Sequence, residues 1–160
     1  IMEKAVIFPG SFDPFTIGHE ALVNRALQIF DKVIIAVGCN SEKKYMFGID
    51  ERIEMIKNAF ANDLRIEAIH YQGLTVDLCR KLNVYFLMRG LRTSADFEFE
   101  RAVGQVNKQL EYKIETVFML GAPEHTAISS SIVRDILINK GDVSQFIPHN
   151  IDIEDYKRVY

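Results

Sequence analysis

Apolar residues recur along this chain with two different spacings. Short runs of Val, Ile and Phe with little polar alternation occupy residues 5–8, 33–37, 66–70, 84–88 and 116–120, the pattern of strands covered on both faces. Amphipathic stretches lie between them over 18–30, 51–60, 76–82 and 95–110, and another follows the last run over 130–139. In the second stretch Ile53, Ile56 and Phe60 share one helical face while Glu54, Lys57 and Asn58 point elsewhere. Strands and helices alternate without an internal repeat, low-complexity tract or linker. This predicts one α/β domain over residues 1–160: a doubly wound, Rossmann-like, five-stranded parallel sheet with helices on both faces. In such a fold ligands sit beyond the carboxyl ends of the strands, so chemistry is expected in the segments that follow them.

A length of 160 residues with 48% apolar composition suffices for one continuous core. The formal charge of −3, with both signs interspersed, gives no broad positive field. Nucleic acid is therefore not an expected partner, and an anionic ligand must meet a local basic site. Cys39 and Cys79 are far apart and have no CxxC spacing, which argues for free thiols rather than a zinc motif or a disulfide framework. No charged leader precedes an apolar stretch, and no apolar run approaches the roughly 20 residues that span a bilayer. A cytoplasmic protein without a membrane segment is expected. Ile1 precedes Met2, which reads as the natural start.

Each of the five strand ends is followed by a candidate motif. The first leads into Pro9-Gly10-Ser11-Phe12-Asp13-Pro14-Phe15-Thr16-Ile17-Gly18-His19. Thr16 is the expected N-cap of the helix, which places His19 in the first turn, where free N–H groups and the helix dipole favour a phosphate. The second strand is followed by Lys43 and Lys44, in the right layer to neutralise a phosphate or simply solvated. After the third, Gly73-Leu74-Thr75 opens a helix that can cap itself or hold an amide. Arg89 and Arg92 flank a Gly90-Leu91 step after the fourth. Arg89 emerges from the most apolar run, so it needs either a ligand phosphate or a carboxylate partner from among Asp96, Glu98 and Glu100. The fifth runs through Gly121 to Ile128 into Ser129-Ser130-Ser131, where a serine N-cap and a second anion site are both compatible with the residues, and Arg134 follows a turn later. Two helix starts and several cations on one rim suit a polyphosphate ligand.

Gly10-Ser11-Phe12-Asp13-Pro14 with Gly18-His19, Arg89-Gly90-Leu91-Arg92, and Ile128-Ser129-Ser130-Ser131 with Val133-Arg134 resemble bacterial phosphopantetheine adenylyltransferase. The likeness covers essentially the whole chain. It implies transfer of the adenylyl group of ATP to 4′-phosphopantetheine in coenzyme A biosynthesis, with His19 as transition-state stabiliser and Lys43 and Arg89 on the acceptor's phosphate. Ser11 would contact both substrates and Thr75 the pantetheine arm. Phe12, Gly90, Leu91, Arg92, Glu100, His125, Thr126, Ala127, Ile128, Ser129, Ser130 and Ser131 would join Ser11 and His19 around ATP. A homohexamer and feedback binding of coenzyme A are further implications. Ser11, Ile17, Thr75 and Phe99 depart from common family residues, and none of these changes removes a charge.

The acceptor is a phosphate monoester, with a second pKa of about 6, so it needs no general base at neutral pH. It needs alignment and relief of charge repulsion. Mg²⁺ is expected on the ATP phosphates, with no protein metal ligand named. The competing readings are a nucleotidyltransferase with another acceptor, such as nicotinamide mononucleotide, and a noncatalytic nucleotide-binding regulator. An aminoacyl-tRNA synthetase shares a related histidine, but a lysine signature near the end and an anticodon domain are missing from the sequence.

Overall fold

The structure, a computed structural model, describes residues 2–61 and 63–160. Five strands, β1 (Ala5–Gly10), β2 (Lys32–Gly38), β3 (Ile66–Tyr71), β4 (Phe86–Leu91) and β5 (Glu115–Leu120), form one sheet of order β3-β2-β1-β4-β5. Every neighbouring pair is parallel. The helices are α1 (Ile17–Ala26), α2 (Ile49–Ala59), α3 (Thr75–Leu82), α4 (Ser94–Leu110) and α5 (Ser130–Ile138). The doubly wound fold expected from the alternating pattern is the one observed.

Alternation along the strands divides the core between two faces. Val6, Phe8, Ile35 and Met88 face Val23 of α1, Met55 and Ile56 of α2, and Val133 of α5. Ile7, Ile34 and Leu87 face Val76, Leu78 and Cys79 of α3. Because β1 pairs with both β2 and β4, strand order reverses around it, and the crevice at this switch point opens above its carboxyl end.

β4 starts two residues later and ends three residues later than the expected span of 84–88. Helix α3 ends with Asn83 in the left-handed region at φ 54°, and the Val84 N–H donates to Cys79 O at 3.1 Å. Val84 and Tyr85 are thus used in leaving the helix, and the strand starts at Phe86. Arg89, Gly90 and Leu91 therefore belong to the strand rather than to a loop beyond it. Strand geometry aims Arg89 to the same side as Leu87 and turns Gly90 toward α1. A Cβ at Gly90 would lie 2.4 Å from Leu22 Cδ1, so glycine lets α1 approach this strand.

By their apolar pattern Ile151, Ile153 and Tyr156 could make a last amphipathic turn against a neighbour. They are instead buried in this chain's own core, and the Tyr156 hydroxyl accepts from Asn58 Nδ2 at 2.8 Å. The backbone beyond them straps the loop before α2. Phe47 and Arg158 form an antiparallel bridge, the Val159 N–H donates to Met46 O at 2.7 Å, and Lys44 Nζ sits 4.4 Å from the Tyr160 ring centroid. Val159→Pro removes the donor at Met46 and should cost about 1 kcal/mol, read as a lower urea midpoint. An unchanged midpoint would show that the strap bears no load.

Candidate active site

The turn from β1 into α1 builds the centre of the site. Thr16 caps α1: its hydroxyl accepts from the His19 N–H, and its own N–H donates to His19 Nδ1 at 3.0 Å. Phe12, Phe15 and Phe8 pack around the imidazole with centroid distances of 4.9, 5.3 and 6.2 Å. With Nδ1 accepting a backbone hydrogen bond, the proton of a neutral ring resides on Nε2, which is left to meet a ligand.

Burial, reinforced by the positive charges of Arg92 and Arg89, pushes His19 down from 6.5 to about 3. It is therefore neutral at physiological pH, with the Nε2 proton open to an acceptor. Between these values the unfolded chain binds a proton that the folded protein does not, so this histidine makes stability rise with pH across that window. The urea midpoint should fall from about pH 7 to about pH 5, and fall less in His19→Gln. Equal falls in the two proteins would contradict the buried neutral imidazole.

Two cavities meet beside this helix start. The larger, of about 770 Å³, runs past Asn40, Tyr71 and Thr75 to Val103 and Asn107 of α4. The smaller, of about 380 Å³, lies between the starts of α1 and α5 and reaches Gly18, His19, Arg92 and the three serines. Ser11, Lys43, Arg89 and Glu100 line both. Lys43 Nζ donates to Ser11 Oγ at 2.9 Å. Of the three candidate carboxylates for Arg89, Glu100 is the partner, through hydrogen bonds of 2.9 Å from Nε and 2.7 Å from one terminal nitrogen. The other terminal nitrogen donates to Pro9 O. Asp96 instead caps α4 and accepts from the Arg92 N–H at 2.9 Å, while Glu98 pairs with Arg101 at 3.2 Å.

The serines at α5 divide their work. Ser129 is the N-cap, accepting from the Ile132 N–H at 3.2 Å, and Ser130 donates to Pro14 O at 2.8 Å. The Ser131 hydroxyl accepts from Arg134 at 3.1 Å, and Arg134 also donates to Asp13 O at 2.7 Å. These bonds dock the start of α5 onto the β1–α1 turn. His125 lines the smaller cavity with a buried Nδ1 that has no partner among the described residues.

Among the expected nucleotide residues, Ser11, Phe12, His19, Gly90, Leu91, Arg92, Glu100, His125, Ile128 and the three serines all line the smaller cavity. Thr126 and Ala127 do not line it. They lie in the turn that carries the chain from Pro123–His125 to the α5 cap. Thr75 lines the larger cavity and meets the Tyr71 hydroxyl at 3.1 Å, whereas Leu74 is exposed and lies outside it.

Two charged residues of the site's foundation carried no assigned role in the sequence reading. Asp13, buried, accepts from the Met46 and Phe47 N–H groups at 2.8 and 2.9 Å. Arg52, also buried, donates to the carbonyls of Phe47, Ser11 and Gly38. Apart from Phe47 O, the backbone groups they bond are distant in sequence, so no local spacing betrays them. Asp13 belongs to the Gly10–Pro14 motif but shows no local role there, and the sole signal for Arg52 is an arginine at a position that proves to face inward.

A nucleotide-sized cavity between two helix N-termini at a switch point, with a neutral histidine and several cations at its rim, defines a nucleotidyltransferase of the Rossmann-like type. The family model described as cytidylyltransferase-like matches residues 7–136. Phosphopantetheine adenylyltransferase of Flavobacterium psychrophilum is 50% identical over 96% of this chain and 100% of its own length. Those of Flavobacterium johnsoniae and Bacteroides thetaiotaomicron are 48% and 45% identical, over 96% and 95% of this chain and 99% of each relative. The chain belongs to the phosphopantetheine adenylyltransferase family.

Proposed function

We infer that this protein transfers the adenylyl group of ATP to the phosphate of 4′-phosphopantetheine, giving dephospho-coenzyme A and pyrophosphate. The observation that carries the reading is the junction of the two cavities: Ser11, Lys43 and Arg89 face both. A nucleotide in the smaller cavity and a phosphate-tailed acceptor in the larger would meet there.

In this reading, an oxygen of the acceptor's phosphate monoester attacks the α-phosphorus of ATP. The new oxygen–phosphorus bond forms as the bond to the β-phosphate bridging oxygen breaks, and pyrophosphate leaves with the electron pair. Lys43 and Arg89 hold the attacking phosphate and offset repulsion between the anions. His19 donates from Nε2 to the α-phosphate as charge grows there, and the N–H groups at the starts of α1 and α5 add fixed positive poles. The acceptor's proton is already lost at neutral pH, so no side chain has to remove it.

Mg²⁺ carried with ATP completes the proposal, supplying charge neutralisation on the phosphates. Each carboxylate lining the nucleotide cavity is engaged: Asp13 by Met46 and Phe47, Asp96 by Arg92 and Thr93, Glu100 by Arg89. The residues therefore fit a dication held by phosphate oxygens and water. Assembly as a homohexamer belongs to the same proposal. It is supported by α4, where Phe97, Phe99, Val103, Val106 and Leu110 are exposed on a helix whose one buried side chain among the described residues is Glu100. Feedback binding of coenzyme A, a pantetheine-bearing nucleotide, suits the same pair of cavities. No helix of the described residues is long and apolar enough to cross a membrane. A cytoplasmic location is proposed with the rest, supported by the free thiols of Cys39 and Cys79.

Pyrophosphate release from ATP and Mg²⁺ by purified protein, with 4′-phosphopantetheine compared against nicotinamide mononucleotide, tests the reading. Release with the former alone, with dephospho-coenzyme A as product, is expected. Release with the mononucleotide alone would keep the mechanism and overturn the acceptor, and ATP binding without turnover would indicate a regulator.

A further inference from the structure

Arg52 and Asp13 are the most deeply buried charged side chains of the described residues, each 2% exposed. Arg52 has no carboxylate partner among those residues. A buried guanidinium without a counter-charge is costly and persists only where hydrogen bonds satisfy it. Here the acceptors are backbone carbonyls from three separate segments. Nε donates to Phe47 O at 3.0 Å, and one terminal nitrogen donates to Ser11 O at 2.8 Å and to Gly38 O at 3.0 Å. One side chain thus ties the turn after β1, the end of β2 and the residues before α2 together.

The same guanidinium stacks on the Tyr45 ring, with its carbon 3.9 Å from the centroid. Tyr45 in turn closes the loop after β2, its hydroxyl accepting from the Asn40 N–H at 3.1 Å. Lys43 Nζ lies 5.4 Å from the same ring centroid and 2.9 Å from Ser11 Oγ. The exposed ammonium of Lys43 therefore rests against two groups, a ring and a hydroxyl-bearing turn, and Arg52 fastens both.

We propose that Arg52 is a positioning residue that holds Lys43 at the junction of the two cavities by fixing Ser11 through its carbonyl and Tyr45 through its ring. This rests on the reading that Lys43 binds the acceptor's phosphate there. Arg52 itself sits beneath the turn and need not touch substrate. Its planar fork is what the arrangement uses: a lysine keeps the charge but cannot hold three carbonyls and stack on a ring at once.

The test is steady-state kinetics on the full chain with Arg52→Lys, Tyr45→Leu and Lys43→Ala, alone and with each of the first two combined with the third. Arg52→Lys and Tyr45→Leu should each lower kcat/KM for 4′-phosphopantetheine about tenfold, leave KM for ATP within about twofold, and add no further loss in the Lys43→Ala background. Tyr45 is only partly buried, so its variant keeps the test open if Arg52→Lys fails to fold. Losses that add fully to that of Lys43→Ala, or that fall equally on both substrates, would overturn the proposal alone and leave Arg52 a structural residue. A Lys43→Ala enzyme with unchanged kcat/KM for the acceptor would overturn it together with the phosphate role of Lys43.

Discussion

Replacement of His19 by alanine should slow turnover at least about a hundredfold while ATP affinity falls only modestly, as for loss of a donor aimed at transition-state charge. The expectation follows from the ring's setting. Nδ1 is committed to the Thr16 N–H, three phenylalanine rings fix the imidazole plane, and burial keeps it neutral, so one donor remains for the smaller cavity that His19 lines. Pyrophosphate-release kinetics and ATP calorimetry on the same variant would separate the two effects. Turnover within a few-fold of the wild type would remove His19 from the reaction. Because its pKa lies near 3, a wild-type rate limb near pH 6.5 would have to come from another group, such as the acceptor phosphate with its pKa of about 6.

A second large effect is expected at Arg89. Arg89→Met removes a cation from the cavity junction and also strands Glu100, which is 9% exposed and bonded in two places to that guanidinium. Activity with 4′-phosphopantetheine should fall by two orders of magnitude or more, and stability by about 1–3 kcal/mol, the usual penalty for a buried polar group left without its partner. Adding Glu100→Gln should recover much of the stability, since the stranded charge is gone, but none of the activity. Recovery of both would mean that Arg89 serves the fold and not the phosphate. The pairing also explains how an arginine is tolerated after an apolar run: the requirement for a carboxylate or a phosphate is met by Glu100, which holds the side chain at the junction of the cavities.

The sheet was legible in the sequence because its strands are apolar on both faces, and the helices because their buried sides repeat at helical spacing. The β4 shift was not legible: Val84 and Tyr85 have strand-like side chains, and only the left-handed turn at Asn83 shows that they belong to the helix exit. The same applies to the tail, where Ile151, Ile153 and Tyr156 are apolar enough for a core or an interface and the choice is made by contacts with α2 and its neighbours. Site residues on continuous motifs, from Ser11 to His19 and from Ile128 to Ser131, could be found because their chemistry is local to a helix start. Arg52 could not, and Asp13, although inside the first motif, gave no local sign of its role. Their roles come from backbone groups brought together only by the finished fold.

The strap at Phe47 and Arg158 makes a stretch far from the cavities in sequence part of their support. The loop that carries Lys43 is braced on its outer edge by the Val159 N–H and on its inner edge by Asp13 and Arg52. Fraying of residues 158–160 would free the outer brace while the sheet and all five helices stay formed. Exchange of the Val159 amide with solvent should therefore report the order of the loop that carries Lys43 without reporting on the sheet.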